Sequence, residues 1–122
     1  MTKDELRLRR MRQMLGETAL SIVGDVSHPS VIQHVKELRK YLLQVSQYRW
    51  VRRDHVLDYG VDVLTNVIDH ILEAVKESDP TEILYWVGKL LSELALTIET
   101  LDRYIDRYKE EVETDVPETI AE

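Results

Sequence analysis

Apolar residues recur along this chain at steps of three and four with polar residues between them, the rhythm of one-sided helices. Leu8, Met11, Leu15, Ala19, Ile22 and Val26 form the first stripe, and Thr2 and Glu5 ahead of it have capping-box spacing, which predicts a helix from about residue 3 to about 24. Gly24, Asp25, Ser27 and Pro29 then punctuate the chain, with Ser27 or His28 able to cap and Pro29 suited to a first turn. Val31, Val35, Leu38, Leu42 and Val45 give a second helix its seam, in an unbroken 4-3-4-3 heptad pattern. A third seam runs through Leu57, Val61, Leu64, Ile68, Ile71 and Val75. Between the two, SQYRWVRRD holds neither Gly nor Pro, so a change of register alone places the break near residues 47 to 53.

Ser78, Asp79 and Pro80 stop one helix and start the next, with Asp79 as N-cap, Pro80 as the first helical residue and Glu82 in the first turn. The last seam, Ile83, Val87, Leu90, Leu94, Ile98, Leu101, Ile105, Tyr108 and Val112, predicts a long helix to about residue 113. TDVPETIAE after it has no periodicity, which predicts an unstructured acidic tail over 114–122. The expected fold is an all-α, antiparallel up-down four-helix bundle with a long C-terminal helix, in one domain over 1–113.

That last helix is apolar over more than one seam. Leu84, Leu91 and Ala95 form a second stripe, and Trp86 lies on the opposite flank, an arc well beyond the roughly 100° of a surface helix. Either a second subunit covers it, against Leu84, Gly88, Leu91, Ser92 and Ala95, or other helices of the same chain do. A homodimer is the expectation.

Charge changes the picture more than composition does. Residues 1 to 53 carry 11 Lys and Arg against 5 Asp and Glu, whereas residues 54 to 122 carry 5 against 18, so the net charge of −7 conceals a dipolar molecule. In an up-down bundle the start of the first helix and the junction of the second and third share an end. Arg7, Arg9, Arg10 and Arg12 would then meet Tyr48, Arg49, Trp50, Arg52 and Arg53 in a basic pole with two aromatics. Arginine forks suit phosphate and aromatic faces stack on unpaired bases, so nucleic acid is one candidate partner and an acidic protein another. The alternative is internal: Glu99, Asp102, Asp106, Glu110, Glu111 and Glu113 descend toward the same pole and can neutralise it.

Catalytic and metal chemistry finds little to build on. The chain has no cysteine, its four glycines are isolated, and no Glu-x-x-His step supports a ferritin-like dinuclear site. Asp54, Asp58, Asp62, Asp69 and Glu73, with His55 among them, step along the side away from the third seam and read as a solvated face. His28 reads as a cap or turn residue, and His34 and His70 as surface or flank residues. No metal or cofactor is expected. The N-terminal residues lack the apolar run of a secretory signal, and the most apolar stretch, 83 to 101, is broken by Lys89, Glu93 and Glu99, so an intracellular, cytoplasmic protein without membrane contact is expected.

One arrangement carries a chemical alternative. Arg49 and His55 have five residues between them, and the spacing resembles the Arg-x(4 to 6)-His element of HEPN-type ribonucleases, helical proteins that often act as dimers. The resemblance implies metal-independent RNA cleavage in which Arg49 and His55 hold the scissile phosphate and move a proton, with Arg52 or Arg53 aiding phosphate contact. Trp50 stands where that family usually carries a polar residue. Three readings follow: a non-enzymatic interaction or assembly module, a HEPN-like ribonuclease, and a purely structural dimeric scaffold whose charge is neutralised internally.

Overall fold

Thr2 opens the first helix, α1 (Lys3–Gly24), as the capping-box spacing predicts: its backbone is extended and its hydroxyl oxygen accepts the Glu5 N–H at 3.1 Å. Glu5 turns its own carboxylate to the Arg9 guanidinium at 3.0 Å and is buried there. The computed structural model describes residues 2–121, and side chains as far as Tyr108. Leu8, Met11, Leu15 and Ile22 are buried along α1, and Thr18 joins them with its hydroxyl donating to the Met14 carbonyl at 2.9 Å. Val26, expected in this stripe, lies beyond the end of the helix and is 67% exposed, so the seam closes at Ile22.

Helix α2 (His28–Val45) follows Ser27 as N-cap, with Pro29 in its first turn. All five predicted seam residues, from Val31 to Val45, are buried. The break that follows corrects the expected helix count. It contains a one-turn helix, α3 (Arg49–Arg52), so five helices rather than four are present among the described residues. Val51 anchors this turn in the core, while Arg52 Nε donates to the Ser46 carbonyl at 3.1 Å and ties α3 back to the end of α2. A lone apolar anchor leaves no periodic signal for the sequence to show.

Asp54 terminates the break. Its carboxylate Oδ1 accepts the N–H groups of Val56 and Leu57 at 3.0 and 3.1 Å, capping α4 (His55–Lys76). Its expected place on a solvated face is therefore corrected: the residue is a cap, half-buried, and faces Tyr104. Leu57, Val61, Leu64, Ile68 and Ile71 are buried as predicted, together with Val67 and Ala74.

The turn after α4 is a Schellman motif. The Asp79 N–H bonds to the Ala74 carbonyl and the Ser78 N–H to the Val75 carbonyl, both at 3.1 Å, with Ser78 in the left-handed region at φ 53°. Asp79 then caps α5 (Pro80–Ala121) by accepting the Glu82 N–H at 3.2 Å. The unstructured tail expected over 114–122 falls on residues whose side chains lie outside those described.

The described residues contain no strand. Helix α5 packs on α4 and α1, α1 on α2, and α2 on α4, while α3 lies against α4. The long helices thus enclose one core whose fully buried side chains include Met11, Leu38, Leu64, Leu90 and Leu101. No described helix is long and apolar enough to cross a membrane.

Candidate anionic-partner interface and the adjoining pocket

Three segments meet at one end of the molecule: the start of α1, the turn formed by α3 with the head of α4, and α5 around residues 104 to 108. They line a pocket of about 360 Å³. Leu8 and Leu57, both buried, supply its apolar part. Trp50, Tyr104 and Tyr108 supply aromatic surface, and Asp4, Asp54 and Arg107 its charge. Of the residues expected in a basic pole, Trp50 alone lines this pocket, where it meets Asp4 and Leu8 from the start of α1.

Local chemistry fixes the pocket's inner wall. The Tyr104 hydroxyl donates to Asp54 Oδ1 at 3.1 Å, so this oxygen takes three hydrogen bonds while Oδ2 takes none among the described residues. Burial, then the bond to the Asp54 carboxylate, raises the Tyr104 hydroxyl above its ordinary pKa. The Arg107 guanidinium carbon lies 5.5 Å from the centroid of the Tyr104 ring, in cation–π range. Trp50 stacks on Tyr48 with centroids 6.3 Å apart and planes 17° from parallel. Trp50 is half-buried against the core and Tyr48 is 43% exposed.

The predicted arginines divide into two groups. Arg7 pairs with Asp4 at 3.4 Å, Arg9 with Glu5 at 3.0 Å and Arg12 with Asp102 of α5 at 3.0 Å, so internal neutralisation accounts for these three. Arg52 is held by a backbone carbonyl. Arg10, Arg49 and Arg53 are exposed and have no carboxylate partner among the described residues. Arg49 and Arg53 flank the α3 turn that carries Trp50.

Arg49 and His55, the pair with HEPN-like spacing, are both exposed; no hydrogen bond joins them, and neither lines the pocket. Among the described residues no three His, Asp or Glu side chains gather as a metal site would require. His70 is exposed and meets Trp86 edge-on at 4.1 Å, while the Trp86 indole N–H donates to Glu82 at 3.0 Å.

The second apolar stripe of α5 is largely uncovered among the described residues. Leu84 is 73% exposed, Gly88, Ser92 and Ala95 are exposed as well, and only Leu91 is half-buried. Tyr85 and Leu96 extend the exposed surface on the same helix. Sequence reasoning missed Tyr104, Tyr108, Arg107, Asp4 and Asp54 as pocket residues, since their seam and helix-end positions gave no sign that three separated segments converge. Comparison with protein-family models, with curated proteins and with solved structures gave no match.

Proposed function

We propose that this chain is a non-enzymatic helical interaction module that holds single-stranded nucleic acid at the α3 turn. The observation that carries the reading is that Arg49 and Arg53, exposed and without a carboxylate partner among the described residues, flank a Trp50 ring stacked on Tyr48. Guanidinium groups bind phosphate bidentately, and stacked aromatics accept unpaired bases without a strict sequence requirement. Arg7, Arg9 and Arg12 of α1, satisfied by Asp4, Glu5 and Asp102, stand outside this interface.

The long helices are taken to run up and down in antiparallel order around the common core, which agrees with Arg12 of α1 reaching Asp102 while Asp4 and Leu8 share a pocket with Tyr104 and Arg107. Two copies are taken to pair through the outer face of α5, a reading favoured by the exposure of Leu84, Tyr85 and Leu96.

A gel shift with labelled single-stranded RNA at about 50 and about 200 mM salt, with chelator throughout, tests the binding reading. Affinity should fall steeply with salt, because phosphate contacts release counterions. Arg49→Glu with Arg53→Glu should abolish the shift while leaving the circular dichroism unchanged. An undiminished shift in that variant refutes the interface, and RNA cleavage that His55→Ala removes establishes the ribonuclease reading instead.

A further inference from the structure

The pocket beside α3 has a donor and acceptor pattern of its own, and we infer that it receives a guanine base from the bound strand, with the α3 arginines holding the flanking phosphates. This rests on the nucleic-acid reading above and adds a specificity to it. At about 360 Å³ the pocket lies within the roughly 300–1,000 Å³ of clefts that take small ligands, which is room for a purine. Trp50, Tyr104 and Tyr108 offer ring surface for stacking, and Leu8 and Leu57 an apolar contact.

The polar groups choose among bases. An ionised carboxylate only accepts hydrogen bonds and a guanidinium only donates them. Asp54 Oδ1 is saturated by two backbone N–H groups and the Tyr104 hydroxyl, so Oδ2 is the oxygen left to receive a donor from a ligand. Arg107, exposed at the same pocket and laid over the Tyr104 ring, is the group left to offer one. Guanine carries two adjacent donors, N1–H and the N2 amino group, next to the O6 acceptor on a single edge and so matches both, whereas adenine and cytosine bring one amino donor beside a ring-nitrogen acceptor and give the carboxylate a single contact. Uracil places carbonyl oxygens on each side of its N3–H and would turn at least one of them toward a carboxylate. A simple cation would satisfy Asp4 and Asp54 and meet the like charge of Arg107. Trp50 links the two sites: it lines the pocket and sits on the same helical turn as Arg49 and one turn-end from Arg53.

The experiment measures fluorescence-anisotropy affinities of the full chain for a uridine hexamer and for the same hexamer with one central guanosine, together with a calorimetric titration of guanosine and uridine monophosphates. The guanosine hexamer should bind more tightly, on the order of tenfold, the discrimination expected of a good edge contact. Asp54→Asn keeps an N-cap oxygen, since Asn caps as well as Asp, but puts an amino group where Oδ2 stood; it should erase the preference and leave uridine-hexamer affinity intact. Arg107→Met, an exposed change that keeps the side-chain stem over Tyr104, should also reduce the preference, whereas Arg49→Glu with Arg53→Glu should weaken both hexamers alike. Equal, salt-sensitive affinity for the two hexamers overturns the guanine pocket and leaves the phosphate interface standing. A guanosine monophosphate response lost in Asp54→Asn, without binding of either hexamer, supports the pocket and removes the strand-binding reading. No response to any of the four ligands overturns both.

Discussion

Asp54 shows how much one side chain can settle in this protein. A single carboxylate oxygen starts α4 and fixes Tyr104 of α5, so two helices are registered on one atom. Tyr41 is the residue whose ionisation stability should report. Burial, reinforced by the neighbouring Tyr48, pushes its hydroxyl from the ordinary value up to about 12. The folded state thus holds the proton more tightly than the unfolded chain, in which the group titrates near 10. Its stabilising effect is complete below about pH 10 and is lost as pH rises from there through 12. Urea midpoints should fall across that window, and Tyr41→Phe should flatten part of the fall; an identical profile in the variant would show that other groups cause it.

At the scale of elements, two helix-interior glycines are expected to respond oppositely to alanine. Alanine is favoured over glycine in a helix by roughly 1 kcal/mol. Gly88 faces open space, with no atom within 4 Å of an added Cβ, so Gly88→Ala should raise unfolding stability by about that amount in the isolated chain. Gly60 sits where α4 approaches α5: a Cβ there would lie 3.1 Å from Thr97 Oγ1, and Thr97 is buried with its hydroxyl bonded to the Glu93 carbonyl at 3.0 Å. Gly60→Ala should therefore yield no gain, and Thr97→Ala in the same chain should restore it, a coupling that a double-mutant cycle of denaturation midpoints measures. The four long helices were legible in the sequence because their seams repeat over many turns and their ends carry caps with a physical signature, such as Thr2, Asp79 and Pro80. The α3 turn was not, because one buried valine makes no period. The pocket was partly legible: Trp50 stood out by residue type, whereas Asp54, Tyr104 and Arg107 acquire their roles only from contacts across about 50 residues of chain, between a helix cap and a distant helix.

The molecule combines ion pairs between its helices with an apolar flank that is exposed among the described residues. The Arg12–Asp102 and Arg39–Asp69 pairs join different helices, at 3.0 and 2.7 Å, but all four side chains are well exposed, so each contributes only about 0–1 kcal/mol. Cohesion comes from the core, and association should come from the face that bears Leu84, Tyr85 and Leu96. If two copies pair there, sedimentation equilibrium should return twice the 14.3 kDa chain mass, and Leu84→Glu with Ala95→Glu should return 14.3 kDa with helicity unchanged. A wild-type mass of 14.3 kDa at tens of micromolar would leave the scaffold and dimer readings without support.

The packing of α1 against α5 has a consequence for synthesis on the ribosome. Leu8, Met11 and Leu15 are made well before the helix that covers one side of them, and the Arg12–Asp102 pair spans 90 residues. At about 5–20 residues per second the nascent first helix waits roughly 4–20 s beside α2 alone, its oily stripe open to water and to any chaperone that reads such stripes.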